Sequence, residues 1–282
     1  MILSQFFVYF IFYSFLGWVW ETIYCTIKEK HFANRGFLFG PVCPIYGSCV
    51  IVVQLLYRFA HGWVNESMPL WELFLICAVG SAIGEYGTSW YLEKRFHARW
   101  WDYSTLPLNI KGRICLPVTL CFGAAGVVIV RYLLPAISGM ESGIPPLVFE
   151  GLSLGLMAVF GADFALTEAS LKPLLARIEN AEKEFTSRAE DAYQLVSSTP
   201  QQIENKIHAM EDELSNRAHA FAGGLSYRQK YILNSIKSFR PLPRGRHRFQ
   251  VGQRIKDALA DLKKRETETV EKIETGRKNE QS

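Results

Sequence analysis

Charge is missing from two long stretches of this chain: neither residues 1–20 nor residues 36–57 contain an Asp, Glu, Lys or Arg. An apolar run of roughly 20 residues is long enough to cross a bilayer, so a single soluble globule is excluded. Paired cysteines are missing too. The six cysteines, at 25, 43, 49, 77, 115 and 121, form no CxxC and no Cys/His metal spacing. A disulfide framework and a structural zinc site are thereby excluded, and these thiols read as small buried apolar groups. No GxxxxGK[ST], HExxH or GxGxxG pattern occurs, and the GxSxG match Gly151-Leu-Ser-Leu-Gly155 lies inside an apolar run rather than at a strand-to-helix turn. The chain thus offers no nucleotide loop or zinc-hydrolase helix, and no catalytic residue, metal or cofactor is assigned. Any ATP that powers it must bind another chain.

What is present is divided. Residues 1–169 hold ten basic and eleven acidic side chains; residues 170–282 hold twenty-one and sixteen. The first part is built of apolar runs and the second is polar with helical periodicity. Five spans are expected, at 1–20, 36–57, 70–92, 114–137 and 147–166. The fold class expected is an all-α integral membrane protein: a five-span membrane domain over 1–169 and a cytosolic helical, coiled-coil and basic tail over 170–282. Lys28, Lys30, Arg35, Lys94, Arg95, Arg99, Lys111 and Arg113 fall in alternate loops, while the intervening loops hold little beyond Arg58 and Arg131. Basic residues mark the cytoplasmic side, which places the N-terminus outside and the C-terminus inside.

The first four spans read as a tandem two-helix repeat. Trp18-x-x-Glu21 closes one span and Trp90-x-x-Glu93 closes another. The stretches Gly36–Gly47 (GFLFGPVCPIYG) and Gly112–Gly123 (GRICLPVTLCFG) then share Gly36/Gly112, Pro41/Pro117, Val42/Val118 and Gly47/Gly123. Proline removes a backbone donor and crowds the preceding turn. Gly40, Pro41, Pro44 and Gly47 therefore predict irregular backbone early in span 2. Such a break is either a kink that packs helices or part of a binding site.

Ionisable residues at membrane depth cost several kcal/mol and are functional candidates by default. Glu21, Glu85 and Asp163 fall towards the inner ends of their spans. Arg35 and Arg113 precede the inward-starting spans 2 and 4, with Asp102 and Asn109 in the loop between. Two readings remain open. Glu21, Arg35, Pro41, Pro44, Tyr46, Glu85, Asp102, Asn109 and Arg113 line a solute site, or Glu21, Glu85 and Glu93 pair with Arg35 and Arg113 and clamp the two hairpins together.

In the tail, Leu171, Leu174, Ile178, Ala181 and Phe185 recur at helical spacing. After Pro200, so do Ile203, Ile207, Met210, Leu214, Ala218 and Phe221. This fits a coiled coil or a helical hairpin. Residues 225–256 hold nine Lys/Arg and no acid. Arg240, Arg244, Arg246 and Arg248 form a cluster suited to anionic lipid at an inner leaflet, or a solvated linker. No nucleic-acid reader fold accompanies that charge.

One resemblance draws these residues together. Glu21, the run Asn34-Arg-Gly-Phe-Leu-Phe-Gly-Pro-Val-Cys-Pro-Ile-Tyr-Gly47, Glu85, Trp101-Asp-Tyr-Ser104, Pro107, Asn109 and Gly112-Arg-Ile-Cys-Leu116 resemble the ABC-transporter type IV family of bacterial permease-like membrane proteins. The resemblance implies a permease subunit in the bacterial inner membrane that works with a separate ATPase. Five spans are few for a translocation path, so a homodimer is expected. Two other classes stay open: a membrane scaffold or sensor acting through the tail, and a membrane enzyme acting on a lipid headgroup.

Overall fold

The computed structural model describes residues 2–30, 36–59, 68–141, 143–194, 200–239 and 249–280. Arg35 and the Arg240, Arg244, Arg246 and Arg248 cluster lie outside the described residues. The chain divides into two compact units, Met1–Glu168 and Ala169–Ser282.

The first unit is helical. Helices α1 (Ile2–Glu29), α3 (Leu70–Phe96), α4 (Leu116–Val128, continued to Ile137) and the head of α6 (Pro146–Gln194) are each long and apolar enough to cross a membrane. Their surfaces are inverted relative to a soluble protein. On α3, Leu75, Val79 and Ile83 are half to two-thirds exposed, whereas Glu85, Ser89 and Glu93 are buried. Apolar side chains facing outward around buried polar ones suit a lipid solvent. The protein is a multi-pass membrane protein.

Helix α2 (Pro44–Phe59) has 16 residues. At 1.5 Å per residue it spans about 24 Å, short of the roughly 30 Å hydrocarbon core. Residues 36–43 before it are non-helical. Pro44 is the first helical residue, where a missing N–H loses no bond. The irregular backbone therefore precedes α2 rather than interrupting it. The matching stretch Gly112–Gly123 differs: Pro117 sits in the first turn of α4, which starts directly at Leu116. Span 4 is irregular elsewhere, in a π turn at Ile129–Leu133 that leads into α5 (Leu134–Glu141). Arg131 lies in that turn and donates to the Met68 carbonyl at 3.0 Å.

Small residues let the helices approach closely, as expected where lipid supplies no hydrophobic drive between them. Gly17 of α1 lies against the Tyr46 ring, and Gly47 of α2 against Ser14. Gly123 and Gly126 of α4 lie against Phe74, Ala78 and Cys77 of α3. A core of Tyr9, Tyr13, Val50, Leu73, Cys77, Val130, Leu134 and Phe149 joins the elements of this unit.

The second unit takes the end of α6, with α7 (Pro200–Gly223), α8 (Tyr227–Ser235) and α9 (Val251–Glu280). Arg177 stacks on Phe221, Glu184 pairs with Arg217 at 3.1 Å and Arg188 with Glu213 at 3.2 Å. Numbers rise on α6 as they fall on α7, so the two form an antiparallel hairpin. Pro200 opens α7. Buried Glu182 accepts from the backbone N–H groups of Gln250 (3.3 Å) and Val251 (2.6 Å). It thereby satisfies donors that a helix start leaves unpaired. Ser226 and Gln229 close a capping box on α8.

Candidate functional site

Helix α3 places Leu73, Ala78, Glu85, Ser89, Glu93 and Phe96 on its buried side. Glu85 is 6% exposed. One carboxylate oxygen accepts the Tyr103 hydroxyl at 3.1 Å, and the other has no partner among the described residues. Tyr103 arrives on the loop between α3 and α4. His97, in the left-handed conformation, ends α3. The short strands Asn109–Ile110 and Ile114–Cys115 then pair antiparallel, Asn109 opposite Cys115. The Tyr103 N–H donates to the Gly112 carbonyl at 2.8 Å, which fixes the phenol's origin.

Asp102 and Asn109 give that loop its shape. Asp102 accepts from the Ser104 N–H (3.0 Å) and from its hydroxyl. The Asn109 amide donates to the Leu106 carbonyl (2.8 Å) and the Ser104 carbonyl (3.2 Å), and accepts from the Gly112 N–H (3.1 Å). Gly112 has φ +68°, and a Cβ there would lie 2.5 Å from Asp102 Oδ1 and from Ser104 Oγ. Glycine is required at that position on both counts.

On α1, Glu21 accepts the Tyr46 hydroxyl, and the Cys25 thiol lies 3.8 Å from its other oxygen. Tyr46 is wedged between Gly17 and the edge of Phe122, ring centres 5.8 Å apart. Glu21 and Glu85 lie close enough for their charges to interact. Tyr103 faces both: burial, then the fields of Glu85 and Glu21, hold its phenol far above the ordinary range, so it acts only as a neutral donor. Glu21, Tyr46, Tyr103 and Glu85 are thus one electrostatic cluster drawn from α1, α2, the α3–α4 loop and α3.

A second polar group lies two turns along α3. Glu93 accepts from Arg99 Nε at 2.8 Å and from Arg113 Nη2 at 3.0 Å. Arg113 also donates to the Tyr86 hydroxyl at 3.0 Å and lies over that ring. Burial alone would lower the Arg113 pKa, but the bonds and charge of Glu93 outweigh it and hold the guanidinium charged. The Trp101 indole N–H donates to the Arg113 carbonyl at 3.0 Å, so this ion group also anchors the loop bearing Tyr103. A third contact comes from α6: both Asp163 oxygens accept backbone N–H groups, from Phe39 at 3.1 Å and Gly40 at 2.9 Å. The carboxylate thereby holds the non-helical segment ahead of α2.

A family model described as Putative ABC-transporter type IV matches residues 8–168. The chain belongs to that family. No curated protein and no solved structure matches it. The matched stretch contains the whole cluster, the Glu93 ion group and Asp163.

Within this ABC-transporter type IV domain the candidates separate by what they touch. Glu21, Tyr46 and Glu85 come together. Arg113 stands with Glu93 instead, and neither Glu21 nor Glu85 bonds an arginine among the described residues. Asp102 and Asn109 turn inward upon their own loop. Pro41 lies in the non-helical segment and Pro44 starts α2. Tyr103, Tyr86 and Arg99 were not singled out in the sequence. Tyr103 stood inside the Trp101–Ser104 motif, and a phenol between two candidate acids was the available signal. Tyr86 and Arg99 carried none, since their roles depend on where the loop returns.

Proposed function

We propose that the chain is a membrane transport component, a permease-like subunit for a small solute, working with an ATPase carried on a separate chain. The supporting observation is Glu85, 6% exposed on a membrane-length helix and held by a single hydrogen bond among the described residues. A buried carboxylate with one donor costs stability, and in a membrane domain the usual return is a solute or ion path. Family membership supports the transport reading and the search for an ATPase.

In this reading α2 and residues 36–43 together make the fifth crossing. The N-terminus is outside and the C-terminus in the cytoplasm of a bacterial cell membrane, by the placement of Lys and Arg. Two copies assemble into a homodimer, with anionic lipid against the Arg240–Arg248 cluster. The mechanism is alternating exposure of Glu21 and Glu85 as the 36–43 segment and the Tyr103 loop shift.

Purification in mild detergent at native expression, with mass spectrometry of stoichiometric partners, tests the assembly. A co-purifying ATPase in fixed ratio is expected. Uptake assays with that complex then test the site: Glu85→Gln should abolish transport of the identified solute. A folded Glu85→Gln protein that transports normally would sink the proposal. A chain lacking 170–282 should keep its solute path; loss of all function with an intact membrane unit favours the scaffold reading.

A further inference from the structure

We infer that Glu21 and Glu85 jointly hold one exchangeable positive charge, a proton or a small monovalent cation, bracketed by the hydroxyls of Tyr46 and Tyr103. The inference rests on the transport reading for its purpose, but on the cluster's own geometry for its chemistry.

Two carboxylates share this space, and each has one phenol donor. A phenol donates a proton to a bond but brings no positive charge. Among the described residues, the guanidinium groups of the inner loop are committed elsewhere: Arg99 and Arg113 both bond Glu93. Glu85 Oε2 is buried and has no partner. A second unsatisfied group lies in the same α1–α2 seam: Ser14 is fully buried, its hydroxyl faces Gly47 beside Tyr46, and that oxygen also has no partner. Buried polar atoms are almost always bonded, so the orphan oxygen of Glu85 points to a missing positive ligand. Two interacting like charges in a medium of low dielectric also make it costly to ionise both without a counter-charge.

The donor set limits the ligand. It consists of two carboxylates and two phenol oxygens. Divalent calcium takes six to eight oxygens, commonly from several carboxylates. Among the described residues no group of three or more His, Cys, Asp or Glu could hold a metal ion. An anionic solute would meet two negative charges. One positive charge fits: a proton on a carboxyl, or an ion such as sodium or potassium between the two. Among the described residues, the other titratable groups around the cluster are thiols. Cys25 lies against Glu21, Cys43 faces Tyr46, Cys49 faces Glu85 and Cys115 faces Tyr103. A thiol supplies no positive charge either.

The test is equilibrium binding by the purified full-length chain in detergent, without transport. Proton uptake between about pH 5 and pH 9 is measured with an indicator dye, a window that leaves out ordinary carboxylates. Melting temperature is measured in sodium, potassium or N-methylglucamine chloride at equal ionic strength. If the charge is a proton, the wild type should take up about one proton more than Glu85→Gln across the window, whichever salt is present. If it is a metal cation, sodium or potassium should raise the wild-type melting temperature at high pH. Its apparent affinity should fall at least about tenfold in Glu85→Gln. Glu21→Gln should behave as Glu85→Gln, and Glu72→Gln as wild type. Should Glu85→Gln fail to fold, Glu21→Gln carries the comparison, and Tyr103→Phe should shift the titration midpoint without changing the proton count. Equal proton uptake and equal salt response in wild type and both glutamine variants would overturn the inference. That result would leave the transport reading standing, because no flux is measured here. Loss of the transport reading would likewise leave a positive titration intact.

Discussion

Glu21 depends on Gly17, four residues earlier on the same helix face, because only a residue without Cβ leaves room for the Tyr46 ring. Gly17→Ala should push that ring away from Glu21 and destabilise the protein by about 1–3 kcal/mol, the usual cost of overpacking. Thermal melting in detergent checks it. Tyr46→Phe, which keeps the ring and removes the bond, should cost less. Glu93 is the more sensitive acid. Arg113 is buried, and Glu93→Ala would leave its guanidinium without a counter-charge, a loss on the order of 3–5 kcal/mol. The Trp101 contact should loosen with it, read as a change in tryptophan fluorescence. Here the sequence was legible only in part. The cost of charge in a membrane marked Glu21, Glu85 and Arg113 as candidates. It could not assign partners, because Glu85 and Glu93 lie on one face of α3, two turns apart, and the loop's return path decides which of them Arg113 reaches.

At the scale of the helix, the membrane elements were legible because uncharged runs of the right length have few other uses. The start of α2 was not. Pro41 and Pro44 are both compatible with a first turn, and tertiary contacts choose between them: the Cys43 N–H bonds the Ser14 carbonyl at 2.9 Å, and Asp163 takes the N–H groups of Phe39 and Gly40. The π turn was also invisible, since Ile129–Leu133 reads as ordinary helix. Asp163→Ala should strip the 36–43 segment of its anchor while leaving α2 formed. Labelling of Cys43, buried in the wild type, by a membrane-permeant maleimide should then accelerate severalfold. Unchanged labelling would mean that the Cys43–Ser14 bond alone holds the segment. Gly40→Ala should act in the same direction, because its Cβ would lie 2.8 Å from an Asp163 oxygen.

For the whole molecule, the division into two units follows the change in composition from apolar runs to charged, periodic helix. The tail's hairpin was legible as paired stripes around Pro200, whereas the docking of α9 was not, because the acid that caps its start, Glu182, reads in the sequence as one more charge on a polar helix. Glu182→Ala should unpair the first donors of α9 and expose Phe249, which packs on Phe185 at 5.5 Å. Proteolysis ahead of Val251 should quicken while the membrane unit keeps its melting temperature. In the membrane unit, the two Trp-x-x-Glu signatures have come to different ends. Glu21 takes a tyrosine, and Glu93 takes two arginines. If, as proposed, Glu21 with Glu85 holds a mobile charge, the two signatures divide their labour, one glutamate serving exchange and one architecture. Neither could stand in for the other. A chain rebuilt with two identical hairpins would lose either its place for a mobile charge or the anchor of its inner loop.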